Sequence, residues 1–88
     1  MKPTIIFTQG PEGLCPVQAE GTVNGHPFYF RARHLSWSLS VASSPNGHVM
    51  EDDTWSHWET YPGVSAGAAS TQECMEFINR AAELWANR

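Results

Sequence analysis

The sequence predicts an α+β fold: an antiparallel β-meander of four to five strands with one C-terminal α-helix packed on its apolar face. Three observations carry this expectation. Asn24-Gly25 stands between two alternating runs, and a two-residue type I′ turn needs residues that tolerate positive φ. Leu35, Trp37, Leu39 and Val41 alternate with Ser36, Ser38 and Ser40, the period of a half-buried strand. Ser70, with Glu73 three residues on, precedes an apolar stripe at helical spacing.

Taken in order, Thr4 to Thr8 suits a short first strand, and Gln9 to Pro16, with two glycines and two prolines, reads as a loop. The hairpin over residues 17–33 sets its own register. With Asn24-Gly25 at the tip, Val23 faces His26, Gly21 faces Phe28, Ala19 faces Phe30 and Val17 faces Ala32, so small residues oppose large rings. The other face holds Gln18, Glu20 and Thr22 against Pro27, Tyr29, Arg31 and Arg33. A slip of one residue would mix the two sets. If Arg33 opposes Ser36, the next strand brings Trp37, Leu39 and Val41 to the same apolar face, and the serines to the polar one. Phe28, Phe30, Trp37, Leu39, Ile78 and Trp85 are then expected to form one core cluster.

Ser43 to Gly47 has the composition of a turn, and His48 to Met50 could open a further strand. The segment from Glu51 to Tyr61 reads either as an edge strand, with Trp55, His57, Glu59 and Tyr61 on one side, or as a long aromatic loop. Pro62 to Ala69 is a linker of small residues. In the helix that follows, Cys74, Ile78, Ala81 and Trp85 form the stripe, flanked by Phe77 and Leu84, and Glu76 and Arg80 stand at a favourable i, i+4 spacing.

Composition bounds the function. The 88 residues, expected to form a single domain over 1–88, suffice for one core without a metal or a disulfide framework. The apolar fraction of 41% argues against disorder. Nine acidic residues against five basic leave a net charge of -4. That balance argues against direct binding of nucleic acid and favours a protein partner with a basic surface. The longest apolar run near the N-terminus is too short for a signal peptide, and no stretch could span a bilayer, so a cytoplasmic location without membrane contact is expected.

No motif of catalysis stands out. Cys15 and Cys74 are too few and too far apart for a disulfide scaffold or a zinc motif. Cys74 lies on the helix stripe and is expected as a buried thiol, and nothing sets a base beside Cys15. His48, His57, Asp52 and Asp53 lack metal-ligand spacing. No enzyme activity, cofactor or metal is therefore expected. Tyr29, Arg31 and Arg33 over a row of serines are the feature closest to a single-strand platform. A single aromatic, and Glu20 opposite it as a partner for an arginine, favour a solvated polar face instead.

The candidate partner-binding residues are Glu51, Asp52, Asp53, Trp55, Trp58, Glu59 and Tyr61. A run of acids is ordinarily a solvated turn. Beside two tryptophans and a tyrosine it also has the make-up of an interface, with charge to steer encounter and aromatic rings to anchor it. In size, acidic balance, expected α+β architecture and this acidic and aromatic segment, the chain resembles the small proteins by which phages and mobile elements block host defence, above all the anti-CRISPR proteins. The resemblance implies a non-enzymatic inhibitor that blocks a nucleic-acid-handling partner, such as a CRISPR surveillance complex or nuclease, in some cases as an acidic DNA mimic. It assigns no role to an individual residue. The alternative is a structural or regulatory module that acts as a homodimer, joined through an edge strand or through the Arg/Ser sheet face; monomer and homodimer both remain open.

Overall fold

The computed structural model of the protein describes residues 2–14, 16–49, 54–63 and 65–88. Five strands form one antiparallel sheet in meander order: β1 (Ile5–Glu12), β2 (Val17–Val23), β3 (His26–Arg33), β4 (Ser36–Val41) and β5 (Trp55–Thr60). A 3-10 turn over Ala66–Ala68 leads to the one α-helix among the described residues, α1 (Thr71–Ala86).

The hairpin register is the one its turn demands. Val23 pairs with His26, Gly21 with Phe28, Ala19 with Phe30 and Val17 with Ala32. Asn24 and Gly25 have φ of 49° and 83°, the left-handed pair of a type I′ turn. Gly25→Val should therefore destabilise the protein by ~1–2 kcal/mol or more through the backbone alone. A Cβ at this position meets nothing within 4 Å. Thermal melting of the variant checks this: an unchanged midpoint would mean that the turn relaxes at no cost.

The β3–β4 pairing also follows the alternation, with Arg33 opposite Ser36, Phe30 opposite Leu39 and Phe28 opposite Val41. Leu35 is the exception. It stands with His34 in the connecting turn, 66% exposed, and does not extend the strand. His34 takes the left-handed conformation there, with φ of 57°. A two-residue connection leaves no room for Leu35 on the apolar face.

Two further expectations need correction. Strand β1 runs past Thr8 to Glu12, where a loop was expected, and its pairing with β2 is irregular between Phe7 and Gln9 and again between Gln9 and Glu12. Backbone pairing with β2 holds the glycine- and proline-containing stretch extended, and Pro11 is tolerated because β1 is an edge. His48 and Val49 form no strand. Met50 lies outside the described residues. The last pairing goes instead to Trp55–Thr60, as the edge strand that was one of two alternatives for this segment.

The helix begins where its capping box requires. The Ser70 hydroxyl accepts from the Glu73 backbone N–H at 3.1 Å, and the Glu73 carboxylate accepts from the Ser70 N–H at 3.0 Å. Its buried side chains, Cys74, Phe77, Ile78, Ala81, Ala82 and Trp85, close one face of the sheet. The core is a single cluster that contains Phe28, Phe30, Trp37, Leu39, Ile78 and Trp85. The Trp37 ring stacks on Phe77, with centroids 4.9 Å apart and planes within 7°. Small residues of the linker complete it, since Ala66 and Ala69 are buried. Among the described residues no helix lies on the opposite face of the sheet.

Candidate interaction face

Strand β5 decides where each residue of the aromatic segment goes. Trp55, His57 and Glu59 are half-buried on the helix side, whereas Ser56, Trp58 and Thr60 are exposed on the open side. Trp55 packs against the core and stacks on His57, with centroids 6.1 Å apart. His57 in turn meets the edge of Trp37.

Glu59 works as a strut between strand and helix. Its Oε1 accepts from the Arg80 guanidinium at 2.7 Å, and its Oε2 lies 2.8 Å from His57 Nε2. The His57 hydrogen bond, followed by the Arg80 charge, holds the Glu59 carboxyl below the usual carboxylate range. Arg80 thus reaches across to β5 and forms no ion pair with Glu76, contrary to the i, i+4 expectation. A chain neighbour on the same helix lost to a carboxylate that is brought close only by folding.

Tyr61 is tied down as well. Its hydroxyl donates to Glu73 Oε2 at 2.9 Å, and its ring meets Phe77 edge-on. The Ser70 backbone N–H and then the Tyr61 hydroxyl lower the Glu73 pKa, while the Glu73 carboxylate raises that of Tyr61. Both carboxyls are depressed in the folded state. Their stabilising effect is therefore present above their unfolded values, near 4.5, and is lost as pH falls through the folded ones. Cys74 acts at the other end of the scale. Burial pushes its thiol from 9.0 to about 11, so the stability it carries is full below pH 9.0 and is lost as pH rises toward about 11. Denaturant melts across pH should show both declines. Glu59→Gln with Glu73→Gln should flatten the acid limb, and an unaltered acid limb would assign it to other groups.

Of the predicted partner-binding residues, the structure thus places Trp55, Glu59 and Tyr61 in packing or bracing roles. Trp58 stands apart, 66% exposed on the open face. Glu51, Asp52 and Asp53 lie outside the described residues, immediately before Thr54, which leads into β5.

Sequence reasoning did not anticipate the company Trp58 keeps. One row across the open face reads Gln18, Arg31, Ser38, Trp58, and the next reads Glu20, Tyr29, Ser40, Ser56. The serines of β4 lie between the arginines of β3 and Trp58 on β5. A depression of about 370 Å³ there is lined by Arg31, Arg33, His34, Ser36, Trp37 and Ser38. Tyr29 donates to Gln18 Oε1 at 2.7 Å. Glu20 does lie opposite Tyr29, but among the described residues neither Arg31 nor Arg33 has an ion-pair partner. The period-two pattern of residues 55–60 was the available signal that Trp58 belongs on this side.

Cys74 is buried and neutral at ordinary pH, unsuited to attack a substrate. Among the described residues no group of three or more His, Cys, Asp or Glu side chains could hold a metal ion. No helix among them is long and apolar enough to cross a membrane. No protein-family model, no curated protein and no solved structure matches the chain.

Proposed function

We propose that the protein is a non-enzymatic binding protein that blocks a nucleic-acid-handling partner, such as a CRISPR surveillance complex or nuclease, through the acidic and aromatic side that ends in β5. The exposure of Trp58 is the observation that carries this reading. A large ring left in solvent on a regular strand, while the neighbouring aromatic residues pack, is the form of an interface anchor. The net charge of -4 supports a basic surface as its counterpart. Glu51, Asp52 and Asp53 supply local charge for steering.

Inhibition of target-DNA binding by purified CRISPR surveillance complexes, with co-elution of the protein, tests this directly. Trp58→Ala should leave melting within about 1 kcal/mol of the parent, as an exposed side chain does, yet weaken capture by ~2 kcal/mol or more. Glu51, Asp52 and Asp53 changed together to Ala should weaken capture and flatten its salt dependence. Full inhibition by both variants would move the interface elsewhere, to Tyr29, Arg31 and Arg33. No inhibition and no co-elution with any complex tried would count against this partner class.

A further inference from the structure

The two edges of the sheet are unlike. Strand β1 is broken by two register irregularities and carries Pro11, devices that discourage edge-to-edge pairing. Strand β5 pairs with β4 without interruption over all six residues, from Ser36↔Thr60 to Val41↔Trp55, and contains no proline, lysine or bulge. Among the described residues no strand lies beyond it.

The hydrogen-bonding phase of this edge can be assigned. The Tyr61 N–H donates to the Leu35 carbonyl, so Leu35 and Tyr61 form a hydrogen-bonded pair. Alternation along an antiparallel ladder then makes Trp37↔Glu59, Leu39↔His57 and Val41↔Trp55 hydrogen-bonded pairs as well. The β3–β4 ladder agrees, since Ala42 N–H donates to Pro27 and the even-numbered residues of β4 turn toward β3. The backbone N–H and C=O groups of Ser56, Trp58 and Thr60 therefore point away from the sheet.

That set is symmetric about Trp58. We infer that β5 is a self-association edge, where a second copy of this chain pairs antiparallel about a two-fold axis at Trp58 and joins the two sheets into one. In this register Trp58 meets Trp58 of the second copy, and Ser56 meets Thr60, each pair exchanging both backbone hydrogen bonds. The side chains match too. On the helix side, Trp55 falls opposite Tyr61 of the second copy and His57 opposite Glu59, an aromatic pair and a complementary polar pair, each repeated by the symmetry. A one-residue shift would set the outward backbone groups of one copy against residues whose own N–H and C=O turn inward to β4, and a shift that keeps the phase loses the Trp58 pair. The two Trp58 rings stay on the open face, so the inference concerns the state in which the protein presents Trp58, and it does not require the inhibitor reading to hold.

Sedimentation and light scattering of the purified protein at about 100 µM should give twice the 9.8 kDa chain mass, falling toward one chain mass on dilution. Ser56→Pro removes an N–H that faces outward and leaves the β4–β5 ladder whole. It should give one chain mass with an unchanged far-UV circular dichroism spectrum. Trp58→Cys, in a background with Cys15→Ser, should form a disulfide-linked dimer on mild oxidation, because a hydrogen-bonded cross-strand pair spans about 5.5 Å between Cα atoms. Ile6→Cys, on the β1 edge, should not. A parent protein of one chain mass at 100 µM overturns the inference, as does a folded Ser56→Pro variant that keeps the doubled mass. Equal cross-linking through Ile6→Cys would place the contact at the other edge and overturn it too. Capture of a CRISPR complex by monomeric Ser56→Pro separates the two proposals: retained capture with lost dimer supports both as independent.

Discussion

Phe30→Ala should lower the stability of the folded state by ~3–5 kcal/mol, the cost of deleting a fully buried ring and leaving a cavity behind. Phe30 is 0% exposed, sits at the middle of the central strand β3, and lies beside Trp37 with ring centroids 6.1 Å apart. Its cross-strand neighbours are Ala19 on one side and Leu39 on the other. Alanine on the β2 side cannot expand into the space, so the site collapses poorly. At ~0.05–0.15 kcal/mol per residue, a chain of this length has a total stability of roughly 4–13 kcal/mol, so the loss is a large share of it. Chemical denaturation of the variant should show a midpoint far below that of the parent, or no native baseline. A midpoint within experimental error of the parent would mean that the apolar face of the sheet has been assigned to the wrong side chains.

Gly21→Ala should be nearly as damaging, although it adds only one methyl group. A Cβ at this position would collide with the Ile6 backbone carbonyl and stand 2.9 Å from Cε2 of Phe28. Gly21 pairs with both Phe7 and Phe28, so the bare Cα lets two aromatic rows close over β2, and the Phe7 and Phe28 rings meet edge-to-face at 5.7 Å. The obstacle is backbone, which cannot rotate away as a side-chain terminus can. Relief requires β1 to move off β2, and we expect a loss at the top of the ~1–3 kcal/mol range of overpacking, or beyond it. Proteolysis within residues 5–12 should accelerate in the same variant, because β1 is the strand displaced. A variant as stable as the parent and equally protected would show that β1 does not pair with β2 as described.

Much of the architecture was legible because it rests on local chemistry. Asn24-Gly25 selects a turn whose length dictates the pairing of everything on either side of it, and the serine alternation of β4 repeats the same division of faces. Two patterns with a common period reinforce each other, since only one register buries all the large side chains at once. Ser70 and Glu73 similarly announce the helix start, as each satisfies a backbone or side-chain group three residues away. The irregular part of β1 was not legible, because its glycines and proline suit a loop as well as a bulged edge, and only pairing with β2 decides between them.

The candidate site divides along the same line. Spacing alone shows that residues 55–61 carry an alternating set, that Cys74 lies on the helix stripe, and that small residues of β2 oppose the aromatic rings of β3. Which aromatic residues pack and which stay exposed follows from contacts made only in the folded chain. Trp55 and Tyr61 are held by Trp37's neighbours and by the helix, through His57, Phe77 and Glu73, and Arg80 abandons its own helix for Glu59. Apart from Trp55 on His57, those contacts join residues far apart in the chain, and no local pattern encodes them. Trp58 ends beside Ser38 and in line with Arg31 because the offset between β4 and β5 is set across a long connection, where neither turn geometry nor spacing constrains the register, and the packing of Trp55 on the core and of His57 on Trp37 does.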